Sequence, residues 1–128
     1  MMACPGSDPL IAEHDDPMDI GRLSLVAQND QERLWILDVF FTDAENSIRQ
    51  MGYALQNSDR KLFQEMAHSL RGAAGNMGMQ RLCSLCNEAM QAKHIHSKEN
   101  KEIINKMCAE MQRIRHYLIK KQILPNHV

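Results

Sequence analysis

The feature that most constrains the fold is a run of apolar residues in alternating steps of three and four: Leu34, Leu37, Phe41, Ala44, Ile48, Met51 and Leu55. That spacing matches the 3.6-residue turn of an α-helix and puts all seven side chains on one face of a long amphipathic helix, of the kind that packs in bundles. Asn29 and Glu32 stand before it with the logic of a capping box. Trp35, Ile36, Val39 and Phe40 widen the apolar surface at its N-terminal half. This end either packs against two neighbours or presents a patch to a partner, and burial is the expectation.

Three further periodic stretches follow. Gln56 to Asp59 breaks the pattern and supplies cap residues for a helix over Leu62–Met77. Met79, Leu82, Cys83, Cys86, Ala89 and Met90 form the next stripe almost immediately, which implies tight antiparallel hairpins. Lys93 to Lys98 reads as a polar turn with Ser97 as a cap, and Ile104, Met107, Met111, Ile114 and Leu118 mark a final helix that stops before Pro125. Ahead of these, Asp16-Pro17-Met18-Asp19 resembles a helix start, with Asp16 as N-cap and Pro17 at the first helical position. The short helix it opens, striped by Ile20, Leu23 and Ala27, ends near Gln28. No stretch alternates with period two. The expected fold is all-α: an antiparallel up-down four-helix bundle over 16–122 with a short additional N-terminal helix, a flexible lead over 1–15 and a C-terminal tail over 123–128.

Charge and cysteines narrow the function classes. Fifteen basic against sixteen acidic residues leave no electrostatic footprint for nucleic acid or an anionic membrane. No apolar run approaches the roughly 20 residues that span a bilayer, and Met1 to Asp19 lacks the basic start and apolar core of an export signal. The four cysteines are irregularly spaced, which suits a reducing cytoplasm. Cys83-x-x-Cys86 with His94 and His96 behind it permits a zinc reading, but no second C-x-x-C or H-x-x-x-H completes a ligand set, and the di-iron signature Glu-x-x-His occurs once, at Glu65 to His68. Packing of the two cysteines on a core face is the expectation, with no metal bound.

The helix over 62–77 carries the strongest functional signal. At about 100° per residue, Leu62, Met66, Leu70, Ala73 and Met77 fall within about 80° of one another, and His68 projects opposite their centre. His68 should therefore face water, beside Gln64, Arg71, Gly72 and Gly75. An interior glycine costs a helix on the order of 1 kcal/mol relative to alanine, and an exposed face has no packing need for one. Something outside the chain is expected to approach that face closely.

The segment His68-Ser69-Leu70-Arg71-Gly72-Ala73-Ala74-Gly75-Asn76-Met77-Gly78 resembles the motif of histidine phosphotransfer (HPt) domains of two-component phosphorelays, a His-x-Leu-Lys-Gly followed by small residues and another glycine. In outline the resemblance covers Met18 to Lys120. It implies that His68 is phosphorylated, accepting a phosphoryl group from the aspartyl phosphate of one receiver domain and passing it to the aspartate of another. A neutral imidazole is a good nucleophile. Gly72 and Gly75 would admit the partner's loops, with their Mg²⁺ and aspartate, and Arg71 would offset phosphoryl charge. Gln64 would orient the imidazole or touch the phosphoryl group. The family's usual lysine is arginine at position 71, so a planar fork replaces a flexible ammonium.

The resemblance also implies response-regulator receiver domains as partners, including that of a hybrid histidine kinase from whose tail such a domain could come. It implies a monomeric cytoplasmic carrier with no cofactor of its own. The chain has no P-loop and no ATP-lid glycines, so it reads as a carrier and not a kinase. The alternative is an HPt-like binding module that regulates a receiver domain without carrying phosphate.

Overall fold

The computed structural model describes residues 16–125, all five of whose elements are helices: α1 (Ile20–Val26), α2 (Asp30–Gln56), α3 (Arg60–Asn76), α4 (Gln80–Met90) and α5 (Lys98–Lys120). The lead over 1–15, with His14, and the last three residues, with His127, lie outside the described residues. α2 packs on α3, α3 on α4, α4 on α5, and α5 back on α2, which closes a four-helix bundle. Leu37, Met51, Phe63, Leu70, Leu82, Met107, Ile114 and Leu118 are fully buried along its axis.

Caps fix the helix ends. The Asn29 side chain accepts from the Glu32 N–H at 2.8 Å, and Glu32 Oε1 reaches back to the Gln28 N–H at 2.8 Å, one residue ahead of the usual capping-box partner. Asp59 caps α3 by accepting from the Leu62 N–H at 3.0 Å, and the Ser97 side chain accepts from the Asn100 N–H at the start of α5.

Three expectations need correction. α1 is capped by Asp19 and not Asp16, because Pro17 and Met18 are buried and the chain first passes Met18 into the core. Asp19 then caps the Gly21 N–H at 2.9 Å while its own N–H donates to the Met77 carbonyl at 3.2 Å. Second, the widened face of α2 is only partly covered: Phe40 is buried, whereas Trp35 is 67 % and Val39 40 % exposed. α1 is only seven residues long and does not shield them. Third, the buried face of α3 is centred on Phe63, Ala67, Leu70 and Ala74, roughly 70° around the helix from the centre of the Leu62–Met77 stripe.

Polar side chains tie the connection over 91–97 to the bundle. Buried Asn100 donates to the His94 and Ile95 carbonyls at 2.9 and 3.0 Å, and Arg60 donates to the Lys93 carbonyl at 2.9 Å. Glu110, 3 % exposed, lies between Arg113 at 3.0 Å and Arg81 of α4 at 3.4 Å, so its charge is compensated inside the α4–α5 seam.

Gly78 anchors α1. Its φ is +66°, and a Cβ there would lie 2.7 Å from Asp19 Cβ and 3.3 Å from Asp19 N. Gly78→Ala combines left-handed strain of about 1–2 kcal/mol with that collision, and is expected to lower stability by about 2 kcal/mol or more. A urea midpoint equal to that of the unsubstituted chain would mean that the contact with Asp19 is not made in solution.

Candidate functional site

His68 lies near the middle of α3 and its side chain is exposed. The corrected helix phase keeps it outside, about 130° from the centre of the buried face. Asp59 caps the start of α3 and Met77 N–H returns to the Ala74 carbonyl at its end, so the histidine sits on a helix held at both ends.

Arg71 and Gly72 are exposed on the following turn, and Gly75 is half-exposed. A Cβ built on Gly72 would meet nothing within 4 Å. On Gly75 it would touch only Cys83 Sγ at 3.9 Å, an ordinary contact. Neither position needs glycine for packing within the chain, in contrast to Gly78. The result is a strip of helix about 10 Å long from His68 to Gly75, on which Gly72 and Gly75 contribute no side chain.

Gln64 does not share this surface. It is half-buried, and its Nε2 donates to the Met90 and Ala92 carbonyls at 3.0 Å each. With the buried face centred on Phe63 and Ala67, Gln64 falls on the flank that adjoins α4. There it satisfies carbonyls that the end of a helix leaves without intrahelical partners.

Two nearby residues were not legible as site neighbours. Arg22 of α1 donates from Nη1 to the Gly75 carbonyl at 2.9 Å, across a separation of 53 residues that no local pattern encodes. Cys83 directs a weak S–H contact of 3.7 Å to the Arg71 carbonyl. Leu25 and Val26, on the helix that Arg22 anchors, are 85 % and 62 % exposed. Together with Trp35 they leave apolar surface on α1 and the start of α2. The widened stripe of α2 was the one sequence signal for it.

The C-x-x-C thiols are protonated at neutral pH. Burial pushes Cys83 up, against the opposing pull of Arg71 and Arg22. Burial, then the neighbouring Cys83, pushes Cys86 up to about 12 despite Arg71. Among the described residues, no three His, Cys, Asp or Glu side chains come together to hold a metal, so Cys83, Cys86, His94 and His96 do not form one ligand set. Since only the thiolate is nucleophilic, iodoacetamide at pH 8 should alkylate exposed Cys108 well before buried Cys86. Peptide mapping checks the order, and equal labelling would contradict the burial of Cys86.

Comparison with known proteins bears on the family and the fold. The family described as Hpt domain matches residues 36–117. The crystal structure of histidine-containing phosphotransfer protein B (HptB) from Pseudomonas aeruginosa PAO1 is similar over 86 % of this chain and 98 % of that one, with 25 % identity and a TM-score of 0.72. No curated protein matches by sequence. Among the described residues no helix is long and apolar enough to cross a membrane. With a four-helix bundle, an exposed histidine on α3 and the family match over most of that bundle, the chain belongs to the Hpt domain family, the histidine phosphotransfer carriers of two-component phosphorelays.

Proposed function

We propose that His68 is the phosphorylated residue, taking its phosphoryl group from the aspartyl phosphate of one receiver domain and giving it to the aspartate of another. The observation that carries this reading is the exposed imidazole of His68 beside a Gly72 whose missing side chain would meet nothing in the chain itself. An imidazole nitrogen attacks phosphorus, the N–P bond forms, the P–O bond to the aspartyl carboxylate breaks, and the carboxylate leaves. The reverse sequence, on a second receiver, discharges the carrier. Because the acyl phosphate is already activated, the chain has to contribute access and orientation more than acid–base chemistry.

Arg71 supports the transfer by offsetting charge on the phosphoryl oxygens. Gly72 and Gly75 give clearance to the receiver's loops, which bring the Mg²⁺. Gln64 serves the site indirectly, by bracing α3 against the end of α4. The carrier works as a cytoplasmic monomer, in short-lived complexes with its receivers through a small interface, because it must leave one to meet the next.

A relay assay tests the direction. A receiver carrying radiolabelled aspartyl phosphate is mixed with the chain, and a second, unlabelled receiver is added afterwards. Label should appear on the chain in alkali-stable, acid-labile form and then move to the second receiver. A chain that binds the labelled receiver but never takes label would be a regulator and not a carrier.

A further inference from the structure

Arg33 stands at the head of the buried stripe of α2. It lies one turn before Leu37 and two before Phe40, both buried, so its side chain leaves the helix on the face that enters the bundle. The side chain as a whole is 29 % exposed, yet its Nε is covered and has no hydrogen-bond partner among the described residues. A buried N–H without an acceptor destabilises a fold, and more so when it belongs to a charged group. The position therefore calls for an acceptor.

Beside Arg33 a cavity of about 490 Å³, open to solvent on one side, lies between the start of α2 and the end of α5. That volume falls within the range of small-molecule sites. Its walls are mostly apolar, formed by Leu34, Ile119, Ile123 and Leu124. Leu34 is 40 % exposed there, so the chain leaves part of this apolar surface in water. Arg33 is the one cation among the lining residues.

The described residues leave the guanidinium only partly answered. Asp30 reaches Nη2 alone, at 3.3 Å, and its own side chain is 91 % exposed, so the pair is weak. Across the cavity, the end of α5 has its carbonyls in use. Those of Tyr117, Leu118 and Ile119 accept from the N–H groups of Lys121, Ile123 and Gln122 in the turn that ends the helix. Capping α5 is therefore not the task of Arg33. A single cation over apolar walls, with one carboxylate already at its edge, suits a ligand with one negative charge and an apolar body better than a phosphate dianion.

We propose that this cavity is a binding site, separate from His68, for a small monocarboxylate with an alkyl tail of medium length. Asp30 swings into water, and the ligand's carboxylate takes Nε and Nη2 of Arg33 together as a two-pronged pair. The tail lies along Leu34, Ile119, Ile123 and Leu124 and covers the apolar surface that the chain leaves open. Binding is non-covalent, and a chain of roughly eight carbons suits a hollow of this size.

The test titrates sodium octanoate into the full chain, labelled for NMR, with 1-octanol as the uncharged probe of the same length. Octanoate should bind with a dissociation constant of roughly 0.1–1 mM. It should shift the resonances of Leu34, Ile123 and Leu124, and bind about tenfold or more tightly than octanol. Arg33→Met keeps an apolar stem and removes the charge. It should leave the helical circular dichroism unchanged and weaken octanoate about tenfold or more, with octanol unaffected. Asp30→Asn removes the competing carboxylate and should tighten octanoate binding by about two- to threefold. Octanol bound as tightly as octanoate by the unsubstituted chain would mean an apolar hollow only, and would overturn the proposal without recourse to any variant. Undiminished octanoate binding in folded Arg33→Met would overturn it equally, as would the absence of any shift at about 10 mM octanoate. Phosphoryl labelling of His68 is expected to be the same in both variants, so failure here is distinct from failure of the phosphotransfer reading.

Discussion

Replacing His68 with glutamine should abolish phosphoryl acceptance and leave the bundle intact. The side chain is exposed on a helix whose buried face is formed by Phe63, Ala67, Leu70 and Ala74. Glutamine is a good helix former, so the stability change should stay within about 0.5 kcal/mol. Its amide nitrogen, unlike an imidazole nitrogen, has no available lone pair with which to form the N–P bond. The loss should therefore exceed about 100-fold and be complete within detection.

Phosphoramidate, a small donor that needs no docking surface, is the stricter probe, because it separates the chemistry of the histidine from the approach of a receiver. Acid-labile label from phosphoramidate should appear on the unsubstituted chain and be absent from His68→Gln. Label that persists in the variant would move the phosphorylated residue elsewhere, and His94, His96 and His116 are the exposed candidates among the described residues.

The parts of this molecule that were legible in the sequence are those encoded by neighbours three and four positions apart. The α2 stripe from Leu37 to Met51, the Asn29 cap and the Asp59 cap all follow from local pattern, and all are found in the fold. The phase of α3 was harder to read because its buried face is built from two alanines and only two large residues, Phe63 and Leu70. A stripe that gives Leu62 and Met66, both only partly buried, the same weight as Leu70 and buried Met77 counts size over position. That error propagated to Gln64, which was expected on the outer face and instead braces the end of α4. Contacts between distant segments left no local trace: Arg22 on the Gly75 carbonyl, Asp19 on the Met77 carbonyl, and Arg81 on buried Glu110. Glu110 itself lies on the apolar face of α5, where a charge reads as an exception until its arginines are seen.

Gly72→Gln should separate stability from function in opposite directions. An added Cβ at this position meets nothing within 4 Å, so the side chain creates no collision inside the folded chain. Replacing an interior helical glycine with glutamine removes conformational freedom from the unfolded state and should raise stability by about 0.5–1 kcal/mol. Any loss of transfer must then come from outside, where glutamine covers the turn next to His68 and blocks a receiver's loops. A displacement of about 1 Å in the reacting groups can cost on the order of 100-fold in rate, so a loss of at least tenfold in receiver-to-His68 transfer is expected. Phosphoramidate labelling should change little, because that donor is small enough to reach the imidazole past the new side chain. The measurements are a urea midpoint, an initial transfer rate from a phosphorylated receiver, and the phosphoramidate rate. Receiver transfer at the unsubstituted rate in a variant at least as stable would remove access as the reason for Gly72. The glycine would then be a helix defect without a function, whereas at Gly78 the positive φ and the approach of Asp19 supply the reason within the chain itself.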